Sequence, residues 1–229
     1  MNSLVIIPSR FDSSRLPGKP LLEIDGKTLI QRVYDQVRLS RADDIIVATD
    51  DKRIFEHVLE FGGNVVMTSE QLRNGTERII EAADKVLEDD DEYDMIINVQ
   101  GDEPLIDPED INSLIDLFDE EECDIGTLAS RITNQDELHS ADTVKVVLSD
   151  FEDEVADALY FSRAPIPYMR DEDPQNWLDH HIYYKHIGLY AFAPEVLESI
   201  KALGESSLEI AENLEQLRWL ENHFVISVK

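Results

Sequence analysis

Cysteine is almost absent from this sequence of 229 residues, and basic residues are scarce. The single cysteine, Cys123, excludes an intrachain disulfide framework and any metal site built from several thiolates, and it favours a reducing cytoplasm as the location. Only 20 Lys and Arg stand against 50 Asp and Glu, which gives a formal net charge of −30. A chain so negative would repel a nucleic-acid backbone and an anionic membrane surface, so we expect neither as a partner.

Long apolar runs are missing as well. No stretch approaches the roughly 18 consecutive apolar residues that a membrane-spanning helix needs. The N-terminal residues MNSLVIIPSR carry no basic region before their short apolar run and no small-residue cleavage site, so we expect no signal peptide. With 42% apolar residues, the sequence predicts one globular domain over 1–229, with a lobe at about 151–190.

The apolar pattern alternates between strands and helices. Short β-branched runs such as LVIIP (4–8) and DIIVATD (44–50) predict strands, whereas TLIQRVYDQVRL (28–39) has helical spacing. Four such strands, the last of them MIINVQGDEPLI (95–106), are connected by helices. The pattern therefore predicts an α/β fold with a mostly parallel mixed sheet flanked by helices.

The second half of the chain is less regular. Residues 151–184 are rich in Pro, Tyr and charge, and they predict no clear element. Residues 206–220 predict one helix, which opens with a capping box from Ser206 to Glu209. FVISVK predicts a last strand.

The loop after the first strand collects cations in an otherwise acidic chain. Arg10, Arg15 and Lys19 lie within ten residues, together with the hydroxyl groups of Ser13 and Ser14. The loop has neither the Walker pattern nor the GxGxxG pattern, but Arg and Lys beside exposed amides suit a polyphosphate. The residues alone leave a second interpretation equally open, in which the cations pair with surface carboxylates.

A carboxylate group closes the predicted central strand. Gln100, Gly101, Asp102, Glu103 and Pro104 follow its apolar residues. Ligands of open α/β sheets bind beyond the carboxyl ends of the strands, and Mg²⁺ prefers one or two carboxylates plus phosphate oxygens. Asp102 is therefore a candidate Mg²⁺ ligand, and the alternative is a turn carboxylate that caps the following segment.

Eight motifs occur together in the order and spacing of a known family. From Val5 to Leu220 the sequence closely resembles the 3-deoxy-manno-octulosonate (Kdo) cytidylyltransferases, also called CMP-Kdo synthetases. The motifs are IPSRFDSSRLPGKPL, VATDD, FGGNVVMTS, NGTERI, NVQGDEPLI, FSRAPIPY, HIGLYAF and LEQLRWL.

The resemblance implies a fold and an activity. The fold would be of the nucleotide-diphospho-sugar transferase type, which is Rossmann-like, with a small dimerisation lobe and a homodimeric assembly. The enzyme would couple CTP to Kdo with Mg²⁺ as cofactor, release pyrophosphate, and deliver CMP-Kdo for lipopolysaccharide synthesis. Two alternatives remain: activation of a related sugar acid, such as 8-amino-Kdo or a nonulosonic acid, or a catalytically weak homologue that binds CTP or metal.

The resemblance also implies roles for individual residues. Arg10, Lys19 and Asp102 would be catalytic, and Asp102 would bind the metal. The nucleotide would contact Arg10, Ser14, Arg15, Lys19, Arg73, Asn74, Gly75 and Thr76. The sugar acid would contact Gln100, Arg163, His186, Tyr190, Glu215 and Gln216. Without the resemblance, His186 would be interpreted as a hydrogen-bonded core histidine.

One departure concerns the end of the sequence. The family continues past the strand that FVISVK resembles, with a segment that carries a second metal-region Asp and a closing helix. Nothing after Leu220 matches that segment. We therefore expect the chain as given to bind CTP with Mg²⁺ but to turn over slowly, because one charge-neutralising group is missing.

Overall fold

The computed structural model describes residues 1–12, 16–87, 93–120, 123–151 and 154–229. Up to residue 120 its regular elements are β1 Ser3–Ser9, β2 Glu23–Ile24, β3 Lys27–Thr28, α1 Leu29–Val37, β4 Asp44–Thr49, α2 Lys52–Glu60, β5 Asn64–Met67, α3 Gly75–Leu87, β6 Met95–Asn98 and α4 Pro108–Glu120. From residue 123 onward they are β7 Ile125–Arg131, α5 Gln135–His139, β8 Lys145–Leu148, β9 Ala156–Ser162, α6 Trp177–His180, β10 Tyr184–Phe192, α7 Pro194–Lys201, α8 Ser207–Glu212, α9 Gln216–Glu221 and β11 Ile226–Val228. Short 3-10 helices cover Lys19–Leu21 and Pro174–Asn176.

The chain divides into two compact units. Unit 1 comprises Met1–Glu122 and Leu189–Lys201, and unit 2 comprises Cys123–Gly188 and Ala202–Lys229. Strand β10 begins in unit 2 and ends in unit 1. None of the helices in the described residues is both long and apolar enough to cross a membrane.

Unit 1 contains the predicted parallel sheet. Strand β1 lies between β4 and β6 and is parallel to both, and β5 is parallel to β4 at the edge. The end of β10 adds an antiparallel strand to β6, where Tyr190 lies opposite Asn98. Leu4 to Ile7 of β1 have no exposed surface, as expected of a strand covered by helices on both faces. The mostly parallel mixed sheet flanked by helices is therefore confirmed.

Unit 2 is mainly antiparallel. Strands β8 and β9 pair antiparallel, β11 pairs antiparallel with β9, and β11 runs parallel to β7. A small core beside the sheet contains Trp177 and Tyr183, whose stacked rings have centroids 6.1 Å apart. Strand β9 lies within 151–184, where the sequence predicted no element.

The helix predicted over 206–220 is wrong as a single element. The capping box between Ser206 and Glu209 is present, but α8 ends at Glu212 and α9 begins at Gln216. Asn213 separates them in the left-handed conformation, with φ 52° and ψ 51°. Asn adopts this conformation more readily than other residues that carry a side chain, and it is a common helix terminator.

Candidate active site

A cavity of about 380 Å³ lies in unit 1 at the carboxyl ends of β1 and β6. This is the edge at which open α/β sheets bind ligands. The cavity brings together residues from the cationic loop, from the start of α3 and from the segment after β6. The candidates that line it are Arg10, Lys19, Arg73, Asn74, Gly75, Gln100 and Asp102.

Two glycines shape this cavity. Gly18 has a φ of 73°, and its amide donates a hydrogen bond to the carbonyl oxygen of Phe11 at 2.8 Å. A Cβ atom on Gly101 would lie 2.5 Å from the carbonyl oxygen of Pro8, so only glycine permits the segment after β6 to approach the end of β1. The turn and the close approach together bring Lys19 and Asp102 to the same edge of the sheet.

Lys19 and Asp102 form an ion pair in this structure. The Nζ atom of Lys19 lies 2.6 Å from Oδ2 of Asp102, with side chains that are 36% and 56% exposed. The two side chains that we predicted to hold phosphate and metal therefore neutralise each other. A pair so exposed is weakly held, because water screens both charges, and incoming ligands can replace each partner.

The start of α3 forms another wall of the cavity. The amide of Glu77 donates to Oδ1 of Asn74 at 2.9 Å, and the carboxylate of Glu77 accepts from the amide and Nε of Arg73 at 2.7 and 2.6 Å. These bonds cap the helix and fix the segment that precedes it. Thr76 is buried, and among the described residues it is not part of the cavity wall.

The predicted sugar-side residues are distributed between the two units. Gln100 lines the cavity of unit 1, and Tyr190 is buried in the part of β10 that belongs to unit 1. The other four belong to unit 2: Arg163, His186, Glu215 and Gln216.

Arg163 is held by backbone carbonyl groups. Its guanidinium donates to the carbonyl oxygens of Glu212, Ala141 and Asn213 at 2.8, 3.0 and 3.3 Å. The carboxylate of Glu212 accepts from the Arg163 amide at 2.9 Å and from the Ser162 hydroxyl at 2.6 Å. Lys145 has no exposed surface and donates to the Arg163 carbonyl at 2.5 Å. Burial lowers the pKa of Lys145, and the nearby charge of Arg163 lowers it further.

His186 lies within unit 2 as a hydrogen-bonded ring. Its Nε2 atom is 2.9 Å from the Thr127 hydroxyl, and its ring meets that of Phe161 edge-on at 5.1 Å between centroids. Burial lowers the pKa of His186 to about 3, so the ring is neutral near pH 7. It can therefore orient a ligand by hydrogen bonding, but it does not supply a positive charge there.

Glu215 and Gln216 differ in their surroundings. Gln216 is the first residue of α9 and is buried, whereas Glu215 precedes the helix and lies 3.8 Å from Arg218. Arg218 also pairs with Glu209. Ser14 and Arg15 lie outside the described residues.

The chemistry of the cavity fits Mg²⁺. In the described part of the chain, no group of three or more His, Cys, Asp or Glu forms a protein cage for a metal. Asp102 offers hard oxygen atoms and Glu103 adjoins it, with a pKa raised by burial and by the charges of Asp102 and Asp110. Mg²⁺ commonly accepts one or two carboxylates and takes its other ligands from phosphate and water.

Sequence reasoning missed one residue of the cavity wall and several charged and aromatic contacts elsewhere in unit 1. Arg78 lines it and is buried against Asp50. Arg53 lies 3.3 Å from the ring centroid of Phe11 and donates to both oxygens of Asp51 at 2.9 and 2.6 Å, and these bonds lower the pKa of Asp51. Asp50 and Asp51 both belong to the motif VATDD, for which the residues alone indicated no role.

A larger cavity of about 480 Å³ lies in unit 2 among the described residues. Arg131, Phe151 and Tyr183 are on its wall. None of the candidate residues that the structure describes lines it.

Comparison with known proteins shows the family. The sequence model described as Cytidylyltransferase matches residues 4–226. The chain belongs to this family.

Relatives of this chain are named as cytidylyltransferases of two related sugar acids. It is 48% identical to the 3-deoxy-manno-octulosonate cytidylyltransferase of Bacteroides thetaiotaomicron, over 100% of this chain and 89% of that protein. It is 45% identical to the 8-amino-3,8-dideoxy-manno-octulosonate cytidylyltransferase of Shewanella piezotolerans, again over 100% and 89%. Among solved structures, CMP:2-keto-3-deoxy-manno-octonic acid synthetase complexed with CTP matches with a TM-score of 0.89 and 40% identity, over 100% of this chain and 89% of that one.

Proposed function

We propose that this protein transfers a cytidylyl group from CTP to Kdo, which gives CMP-Kdo and pyrophosphate for lipopolysaccharide synthesis. The observation that carries this proposal is the cavity of unit 1, where Arg10, Lys19, Asn74, Gln100 and Asp102 meet at the carboxyl edge of a parallel sheet. The relative whose solved structure is named as a complex with CTP supports CTP as the nucleotide substrate.

The reaction is a substitution at phosphorus. The anomeric hydroxyl of the sugar acid attacks the α-phosphorus of CTP, a new phosphorus–oxygen bond forms, and the bond to the β-phosphate oxygen breaks. The hydroxyl proton goes to water or base, and pyrophosphate leaves as an anion. No side-chain nucleophile is needed, so catalysis depends on positioning and charge neutralisation.

The chain supplies charge neutralisation through the loop that follows β1. Arg10 is exposed at the cavity, and Lys19 can exchange its partner Asp102 for a phosphate oxygen. Asp102, once released, is the residue that would hold Mg²⁺. The ion, when bound, neutralises phosphate charge and stabilises charge that develops during transfer.

A related sugar acid is the second candidate substrate. The chain is 45% identical to an 8-amino-3,8-dideoxy-manno-octulosonate cytidylyltransferase and 48% identical to a Kdo cytidylyltransferase, so sequence identity favours the two sugar acids almost equally. The two sugars differ at carbon 8, so one polar contact on the sugar side would distinguish them.

Assembly and location complete the proposal. We propose a homodimer in the cytoplasm. A single free cysteine suits a reducing compartment, and burial raises the pKa of Cys123 to about 11, which leaves its thiol unreactive. Light scattering on the purified protein would measure the assembly.

Pyrophosphate release tests the function. The protein is incubated with CTP and Mg²⁺ and, in turn, with Kdo, 8-amino-Kdo or a nonulosonic acid. We expect Kdo to give the largest kcat/KM. A larger value for 8-amino-Kdo would make 8-amino-Kdo, rather than Kdo, the substrate of this enzyme. CTP binding without turnover on any acid would support the interpretation as a catalytically weak homologue.

A further inference from the structure

Helix α3 carries a buried cation on its apolar face. Arg78 is 2% exposed and stands beside Ile79 and Ile80, which are also buried. One terminal nitrogen of its guanidinium lies 2.7 Å from Oδ2 of Asp50, which follows β4 and has a side chain that is 15% exposed. The motif VATDD therefore contains a carboxylate that compensates a charge inside the protein.

The other terminal nitrogen of Arg78 reaches the segment after β5. It donates to the hydroxyl of Thr68 at 2.5 Å and to the carbonyl oxygen of Ser69 at 3.4 Å. The amide of Thr68 in turn donates to the carbonyl of Thr49 at 2.8 Å. A single guanidinium thus connects α3 to the ends of two neighbouring parallel strands.

Two further residues on the same face of α3 hold the same segment. Glu81 accepts from the amide of Ser69 at 2.9 Å, and Lys85 donates to the carbonyl of Met67 at 2.7 Å. The spacing from Arg78 through Glu81 to Lys85 places these side chains along one side of the helix. Of these three residues, only Arg78 also lines the cavity.

The segment that enters α3 forms the adjoining wall, from Leu72 to Gly75. It is distinct from the loop that contains Arg10 and Lys19. The cavity therefore has one wall on that loop and a second wall, built on α3, that carries Arg73 and Arg78. We propose that Asp50 and Arg78 are positioning residues that fix the Leu72–Gly75 wall against the nucleoside part of CTP. This inference rests on the proposed function.

The chemistry of the pair supports this role. A buried ion pair is often no more stabilising than apolar residues of the same volume, so stability alone gives weak grounds for its presence. The planar guanidinium can bond Asp50 and Thr68 at the same time in a fixed geometry, whereas an ammonium group offers no such fork. The pair between Asp50 and Arg78 therefore fixes the position of α3 more than it adds to the free energy of unfolding.

Calorimetric binding measurements with two ligands distinguish a positioning role of the pair from a general loss of binding by the protein. CTP with Mg²⁺ reports the binding of the nucleoside and the phosphates together, whereas inorganic tripolyphosphate with Mg²⁺ reports the binding of phosphates alone. For Asp50→Asn and Arg78→Lys we expect the Kd of CTP to rise at least tenfold, while the Kd of tripolyphosphate stays within twofold. Lys85→Met is the matched control, since it loosens the same helix away from the cavity and should leave both constants within twofold.

The double variant Asp50→Asn with Arg78→Met removes both buried charges and guards against a single variant that fails to fold. We expect its thermal stability to exceed that of Asp50→Asn, while its affinity for CTP stays at least tenfold reduced. Recovery of CTP affinity together with stability would show a merely structural pair and overturn the inference. Equal losses for CTP and tripolyphosphate would also overturn it. A wild-type protein that binds tripolyphosphate but not CTP would instead overturn the proposed function.

Discussion

The two units hold their candidate side chains in opposite ways. In unit 1, Lys19 and Asp102 are exposed and bonded to each other, across a cavity that a ligand can enter. In unit 2, the candidate Arg163 and its neighbour Lys145, which is not a candidate, both donate to carbonyl oxygens of the backbone. A ligand that binds to Lys19 or Asp102 in unit 1 must therefore replace the ion pair between them. The side chains of Arg163 and Lys145 in unit 2 are already fixed by the backbone.

This difference predicts where substitutions act. Removal of an exposed, exchangeable group should reduce turnover with little effect on folding, because water already screens its charge. Removal of a group that satisfies buried backbone atoms should lower the free energy of unfolding, because those atoms are left without a partner.

Lys19→Ala should produce the largest effect on activity. Loss of a preorganised cation at the phosphates commonly lowers turnover by about two orders of magnitude or more. We expect the melting temperature to change little, and pyrophosphate release with CTP and Kdo measures the loss.

Lys27→Ala provides the control for this experiment. Lys27 forms a similar exposed pair with Asp35 at 2.6 Å, but it does not line the cavity in the described part of unit 1. It should retain wild-type turnover. A folded Lys19→Ala variant within about threefold of wild type would show that Lys19 does not hold the phosphates.

Asp102→Asn should lower turnover by roughly ten- to a hundredfold, because the amide keeps the shape of the side chain but loses the charge that attracts Mg²⁺. Activity should recover in part at high Mg²⁺ concentration. A titration of pyrophosphate release against Mg²⁺ measures the shift. An unchanged Mg²⁺ dependence would assign the metal to another carboxylate, with Glu103 as the first alternative.

Much of unit 1 could be predicted from its sequence because local pattern and tertiary environment agree there. Apolar runs such as LVIIP predict strands that are covered on both faces, and Leu4 to Ile7 are indeed buried. The carboxyl end of such a run can be read from the sequence, and it is the end at which open α/β sheets bind ligands. The pair between Lys19 and Asp102 could not be predicted, because it depends on a contact across 83 positions of sequence.

Unit 2 was harder to predict because its local signals conflict with its structure. Strand β9 buries the small Ala156 and Ala158 and exposes Leu159, so its apolar pattern hides which face is inside. The apolar spacing of α8 and α9 continues through Asn213, although the backbone turns there. The partners of Arg163 are carbonyl groups, which leave no trace in a sequence pattern.

Glu212→Gln tests the fixed groups of unit 2. The carboxylate accepts from the Ser162 hydroxyl and from the Arg163 amide. The Gln amide keeps one acceptor oxygen for the Arg163 amide, and the Ser162 hydroxyl can turn to accept from its NH2 group, but both bonds lose a charged partner, at a cost of about 1–3 kcal/mol in the free energy of unfolding. Urea denaturation measures this cost. Glu137→Gln is the control, because it removes only a surface pair with Lys185 and should cost about 1 kcal/mol or less. Equal costs for the two variants would remove the contrast between the units.

The last effect concerns pH and His186. Burial lowers its pKa from 6.5 to about 3, so the unfolded chain takes up a proton below pH 6.5 while the folded protein does not. This difference makes the folded state less stable as the pH falls from 6.5 towards 3, by up to about 1.4 kcal/mol per pH unit for one group. His186→Gln can keep a hydrogen bond to Thr127 but cannot titrate, so its free energy of unfolding should fall less than that of wild type between pH 7 and pH 5.

Urea denaturation at several pH values measures how the free energy of unfolding changes with pH, and the exposed His180→Gln variant is the control. Parallel slopes for wild type and His186→Gln would mean that His186 takes up its proton in the folded protein, and that this group of unit 2 is as open to water as those of unit 1.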